Sequence, residues 1–172
     1  MNASDPSGRG NGPPSAVLQK IRGRLSRRGM QGLEVVVALR AAAQQVDYAL
    51  NAWMADTAGS FARFQILMAL WATAGKGIAH KEIVAAMRVT PATVSGLMGA
   101  LEREGLVRSD PAPDDRRILL ACLTAHGQAV VEKAFEASST RLQGAFASFS
   151  SEELKHLTEL LRRFREAFTS PP

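Results

Sequence analysis

Residues 90–123 read TPATVSGLMGALEREGLVRSDPAPDDRRILLACL, and the order of signals within them decides the architecture. Thr90 offers a hydroxyl to an orphan N–H at a helix start, and Pro91 suits the first helical position. Val94, Leu97, Met98 and Leu101 then recur at three- and four-residue spacing, which predicts a short helix with one apolar face. Gly105 follows Glu104 as a left-handed stop. Beyond it, Leu106-Val107-Arg108 and the run from Ile118 to Leu123 predict two strands around the turn-rich Pro111-Ala112-Pro113-Asp114-Asp115.

Outward from this stretch the chain reads as helical. Leu39, Ala43, Val46, Leu50 and Trp53 keep a helical rhythm from about Gly29 to Ala55. Ser60 caps a second helix with Phe61, Phe64, Leu67, Met68 and Trp71 inward, ending near Gly75. Ile78 to Met87 predicts one short helix, and Arg88-Val89 the tight turn into Thr90. After the hairpin, Thr124 caps a long helix carrying Val131, Phe135, Leu142 and Phe146. Ser150-Ser151-Glu152-Glu153 is a capping box for a last helix striped by Leu154, Leu157, Leu161, Phe164 and Phe168.

Short helix, turn, capped helix and basic-tipped hairpin are the parts of a winged helix-turn-helix. The predicted fold is therefore mainly α with a small β-wing. Residues 1–28 form a basic arm, and 29–172 a single domain. Within it the winged helix spans about 60–124, between candidate dimerisation helices over about 29–55 and 124–168. Those long helices carry more apolar stripe than one small domain buries. Pairing of two copies would cover the surplus and match the two-fold symmetry of helix-turn-helix operators. A helical hairpin folded back on its own domain is the alternative. Double-stranded DNA is the first partner expected.

Charge is sharply divided along the chain. The net charge is +5, from 21 basic and 16 acidic residues. Residues 1–28 hold six of the bases (Arg9, Lys20, Arg22, Arg24, Arg27, Arg28) against Asp5 alone, so the remaining 144 residues carry fifteen of each sign. A neutral body binds DNA only if its charges are segregated onto one face, because phosphate contacts are local. Met1 to Pro14, rich in Gly, Ser, Asn and Pro, predicts disorder. Pro14 to Gly29 places Val17, Leu18, Ile21 and Leu25 on one helical stripe flanked by bases. That segment fits a helix packed on the body or a partner subunit, a clamp on DNA, or a cradle for a phosphorylated ligand. An Arg-rich, acid-poor N-terminus also resembles an organellar transit peptide, which the prokaryotic pattern of the rest disfavours.

The order helix, helix, helix-turn-helix, wing and two long helices resembles the MarR (multiple-antibiotic-resistance regulator) family of bacterial transcription factors. The residues that carry the resemblance are Thr93-Val94-Ser95, Leu101-Glu102-Arg103-Glu104-Gly105-Leu106-Val107, Asp115-Arg116-Arg117 and Leu123-Thr124-Ala125-His126-Gly127. It covers about residues 33–168. The resemblance implies a homodimeric repressor released from DNA by a small molecule, either an aromatic acid or an acyl- or aroyl-CoA thioester. A winged-helix protein-interaction module that does not read DNA is the rival, because the same fold serves both.

The candidate DNA-binding residues are Thr90, Ala92, Thr93, Ser95, Gly96, Arg103, Asp115, Arg116 and Arg117. Thr93 and Ser95 carry hydroxyls suited to phosphate or base edges. The resemblance sends Arg117 into the minor groove and gives Asp115 the task of orienting the wing through an ion pair. Family members often carry long polar side chains where this chain has Gly96, Gly99 and Ala100. Two glycines inside a helix cost about 1 kcal/mol each relative to alanine. Close backbone approach to DNA is one reason for them, and direct base readout is expected to be thin. For an effector between the long helices and the winged domain, the candidates are Trp53, Phe61, Phe64 and Trp71, with Arg40 and His80 as polar anchors. Arg22, Arg24, Arg27 and Arg28 are candidates for the phosphates of a CoA-type ligand, since guanidinium forks suit them.

Other classes of chemistry find little purchase. The single cysteine, Cys122, excludes an intrachain disulfide framework, and its apolar strand suits a structural role better than redox sensing. His80, His126 and His156 stand on separate elements, so no metal site is expected. Asp114-Asp115 lacks a nucleophile or phosphate loop beside it, and no enzymatic activity or cofactor is expected. Neither a membrane span nor a signal-peptide core stands out, so a cytoplasmic location is expected.

Overall fold

The computed structural model describes residues 20–21, 24–87, 90–115 and 117–169. The chain divides into two compact units, one ending at Ala52 and the other beginning at Trp53. The boundary falls inside the first long helix, whereas the charge pattern divides the sequence at residues 28 and 29. Three-quarters of the predicted arm, including Arg9 and Arg22, lies outside the described residues, as does the Arg88-Val89 turn.

The first unit is dominated by helix α1, Arg27–Met54, which starts two residues earlier than the apolar rhythm predicts. Ser26 explains the earlier start: its Oγ accepts the Gly29 N–H at 3.1 Å, an N-cap hydrogen bond. Apart from its last residue, Met54, the helix buries nothing within the chain.

The second unit contains α2 (Phe61–Trp71), β1 (Ile78–Ala79), α3 (His80–Met87), α4 (Pro91–Arg103), β2 (Val107–Pro111), β3 (Leu119–Leu123), α5 (Ala125–Ala145) and α6 (Ser151–Thr169). The strands form an antiparallel sheet in the order β1-β3-β2, with Val107 opposite Leu123 and Pro111 opposite Leu119. Ile78 to Met87 is therefore not one helix. Its first two residues pair with β3, Ile78 opposite Ala121 and Ala79 opposite Leu120, and the helix starts only at His80. Two residues are too few for any periodicity to announce a strand.

The core gathers Met54, Ile66, Leu67, Leu70, Ile83, Val94, Leu101 and Val131, all fully buried. One or more of these comes from each helix from the end of α1 through α5. On α2, Phe64 and Leu67 are buried as predicted, but the inward face takes in other residues too. Ile66 and Leu70 are buried, while Trp71 is 37% exposed and leans against Phe135, ring centroids 5.8 Å apart. Helix α2 is apolar nearly all round, so spacing alone does not choose its face. Along α5, Val131 is buried as expected, but Phe135, Leu142 and Phe146 are exposed. Helix α6 buries no residue at all, and its Leu157, Leu161 and Phe168 are exposed.

Several helix ends are closed by the chemistry their sequence offers. Ser60 Oγ accepts the Arg63 N–H at 3.3 Å. The Ser150 N–H donates to Glu153 at 2.8 Å while the Glu153 N–H returns to Ser150 Oγ at 3.2 Å, a reciprocal capping box. Arg141 donates to the Trp53 carbonyl at 2.7 Å, satisfying one of the acceptors left open where α1 ends. Among the described residues, no single helix is long and apolar enough to cross a membrane.

Candidate nucleic-acid interface

Helix α4 buries Val94, Met98 and Leu101 and holds Leu97 half-buried, so its opposite face is fixed by exclusion. Ala92, Thr93, Ser95 and Gly96 are all exposed there. Thr90 Oγ1 accepts the Thr93 N–H at 3.2 Å and lies 2.8 Å from Thr93 Oγ1. The two hydroxyls thus share one hydrogen bond and leave one O–H for an acceptor outside the protein. Thr90→Ala is expected to cost about 1 kcal/mol of stability, within the usual range for losing an N-cap. Urea denaturation followed by circular dichroism would measure it.

Ser95 Oγ stands 3.5 Å from His80 Nε2, at the start of α3. A side chain placed at Gly96 or Gly99 would meet no atom within 4 Å. The face is therefore open, and its smallness is not forced by a neighbour in the chain. Arg103 donates its Nε to the Gly99 carbonyl at 3.1 Å, which draws the guanidinium along its own helix. Gly105 ends the segment with φ of 67°, the left-handed stop expected after Glu104.

The wing is held at both its base and its tip. At the base, Ser109 donates to Glu102 and Arg108 pairs with Asp110. Near the tip, Asp115 accepts from the Arg117 backbone N–H at 3.0 Å, from its Nε at 3.1 Å and from Nη2 at 3.3 Å. These bonds, the side-chain ones first, hold the Asp115 carboxyl below the usual carboxylate range. The Arg117 side chain is nonetheless 90% exposed. It is oriented by its partner and still open to an anion. Arg116 lies outside the described residues.

Between α4 and the wing runs a cleft of about 550 Å³ lined by His80, Lys81, Ser95, Glu102, Ser109 and Arg117, with Met98 and Leu119 among its apolar walls. The structure thus brings together Ser95 and Arg117 from the predicted DNA set and adds His80, which the sequence reading assigned to an effector. It also adds Lys81, an exposed base with no motif around it to mark it.

Within the second unit, the remaining effector candidates are not assembled in one place. Phe61 and Phe64 lie with ring centroids 6.3 Å apart, but Phe64 is buried in the core. Trp53 and Phe61 are half-buried against that core. Trp71 borders a separate groove of about 330 Å³ with Ala74, Gly75, Leu123 and Gln128. Arg24, Arg27, Arg28 and Arg40 are exposed in the first unit. Cys122 is buried in β3, and no group of three or more metal-ligating side chains gathers among the described residues.

One support of the interface has no signature in sequence. Arg63 of α2 makes two hydrogen bonds with the Glu104 carboxylate, one of 2.9 Å from Nη1 to Oε1. Glu104 caps the C-terminus of α4, so the pair ties the end of that helix to α2. The Arg63 hydrogen bond holds the Glu104 carboxyl below its ordinary value.

Strand β1 joins α3 to the sheet, and α4 leads directly into β2, so two helices and a hairpin share one frame. That frame defines a winged helix-turn-helix domain of the kind that binds DNA. Residues 60–119 match the model of the MarR family, which supports a winged-helix transcriptional regulator of that kind. Two curated relatives are regulators as well. The chain is 25% identical over 129 residues to the transcriptional repressor YetL of Bacillus subtilis, covering 75% of this chain and 77% of that protein. It is 27% identical over 150 residues to the transcriptional regulator PecS of Dickeya dadantii, covering 87% and 90%. A solved structure of BpsR from Bordetella bronchiseptica, described as showing regulation of DNA binding by 6-hydroxynicotinic acid, superposes with a TM-score of 0.64. It is 27% identical, over 74% of this chain and 90% of that one.

Proposed function

We propose that the chain acts as a homodimeric repressor released from its operator by an aromatic acid. The observation that carries the DNA reading is the shared exposure of Ser95, Lys81 and Arg117 around one cleft, with Thr93 exposed on the same helix as Ser95. The N-terminal residues of α4 would face base edges in the major groove, and Arg117 would enter the adjoining minor groove, where a narrow groove concentrates negative potential. With Gly96 and Gly99 bare, phosphate contacts and DNA shape supply much of the recognition. Dimerisation is supported by the unburied stripes: Leu157, Leu160, Leu161 and Phe168 on α6, and Val35, Val46 and Tyr48 on α1. Apolar surface on that scale marks an interaction site.

The effector class is supported by the BpsR likeness and by the half-buried Trp53 and Phe61, which offer aromatic surface beside the core. The test is fluorescence anisotropy on a labelled duplex from the chain's own upstream region, with excess nonspecific DNA present. Specific, salt-sensitive binding is expected, followed by release with salicylic or 6-hydroxynicotinic acid. Release by benzoyl-CoA but not by free acids would replace the acid with a thioester. Absence of any specific binding, at that duplex or at sites selected from a random pool, would overturn the DNA reading in favour of a protein-interaction module.

A further inference from the structure

From Pro6 to Leu33 the sequence contains no Asp or Glu, yet it carries Arg9, Lys20, Arg22, Arg24, Arg27 and Arg28. Of these, Lys20, Arg24, Arg27 and Arg28 are described, and all four are exposed. None of their side chains makes an ion pair or hydrogen bond among the described residues. Elsewhere three exposed arginines find carboxylates: Arg108 with Asp110, Arg117 with Asp115, and Arg162 with Glu159 and Glu166. The four bases are thus an uncompensated positive patch on a chain whose residues 29–172 are electrically neutral.

Resting on the DNA reading above, we propose that this patch is a second DNA-contact surface that grips the phosphate backbone without reading sequence. A body with balanced charge has little long-range attraction for a duplex, and the nonspecific part of DNA affinity comes almost entirely from phosphate neutralisation. Among the described residues of the winged domain, Arg103 and Arg108 are held within the protein, and Lys81 and Arg117 are given to the cleft. Lys20, Arg24, Arg27 and Arg28 supply the missing charge. Guanidinium groups suit this task because each presents a fork of donors to phosphate oxygens. The patch therefore sets the strength and salt dependence of binding, while α4 and the wing set its sequence preference.

The test compares the full chain with the full-length variant K20Q/R24Q/R27Q/R28Q on the operator duplex and on a random duplex, from 50 to 200 mM salt. Each lost phosphate contact makes the slope of log K against log salt shallower by about 0.9. For four contacts a change of roughly 3.6 per chain is expected, with affinity at least about tenfold weaker near 150 mM salt. The loss should be equal on both duplexes, so the operator preference stays intact. An unchanged slope would overturn the proposal. So would a loss confined to the operator, which would make the patch a reader of sequence. If the variant keeps its DNA slope and instead loses binding to phosphatidylserine vesicles, the patch serves a lipid surface and the proposal is likewise overturned. If the parent chain has no operator preference at all, the repressor reading fails, and the slope on random duplex still decides the role of the patch. An unchanged circular-dichroism melt would show that the four exposed substitutions leave the fold in place.

Discussion

Replacing Arg117 by alanine is expected to weaken operator binding ten- to hundredfold, about 1–3 kcal/mol, while leaving the melting temperature unchanged. The side chain is 90% exposed, so its removal takes away almost no packing. What it removes is a guanidinium already aimed by Asp115 through two side-chain hydrogen bonds. Arg117→Lys should recover only part of the loss. An ammonium keeps the charge but cannot bridge Asp115 and a groove-floor acceptor together. The salt slope should fall by about 1 if Arg117 contacts phosphate, and by less if it sits on base edges. Asp115 stays ionised across the neutral range because its carboxyl is held below the ordinary value. The wing's orientation is therefore expected to be constant down to mildly acidic pH. Operator affinity equal to that of the parent chain would show that the wing does not touch DNA.

Gly127→Ala tests the scaffold, with the opposite pattern of effects. A methyl group there would lie 1.9 Å from the Leu106 carbonyl oxygen and 2.9 Å from its carbon. Neither is the end of a flexible side chain, so the backbone itself must shift. The same carbonyl accepts the Thr124 N–H at 3.0 Å, and Thr124 Oγ1 both accepts the Gly127 N–H at 3.0 Å and donates to the Gly105 carbonyl at 2.7 Å. The first turn of α5 is thus fastened to the segment joining α4 and β2. Helix propensity alone predicts that alanine would stabilise this position by about 1 kcal/mol. The clash predicts a loss of about 3 kcal/mol, near the upper end of overpacking costs. In a chain of this size that is a fall in Tm of roughly 6–12 °C. A Tm equal to or above that of the parent would show that α5 can slide away from Leu106 without penalty.

Much of this was readable from residues because helix ends announce themselves locally. Thr90-Pro91, Thr124 with Gly127, and Ser150 with Glu153 each close a helix within three residues, and all three caps are present. The Asp115–Arg117 partners stand two positions apart and are equally legible. What escaped depends on distance or on a partner element. Arg63 and Glu104 are 41 residues apart, and nothing near either marks the other. Strand β1 has two residues and exists only because β3 offers an edge. The outward turn of Trp71 toward Phe135 depends on where α5 lies, which a nearly all-apolar α2 cannot encode. The bases of the cleft were half legible: Arg117 through its motif, Lys81 not at all.

Strand β1 has a mechanical consequence. Because β3 is bonded to β1 on one side and β2 on the other, the hairpin cannot hinge at its root without breaking pairs that lead straight into α3. Wing and helix-turn-helix therefore move as one rigid jaw. The entropy of aligning them is lost once, when the chain folds, and not again when a duplex arrives. A molecule that loosens DNA has little to gain by bending this jaw, and acts more effectively by changing how the whole jaw is carried.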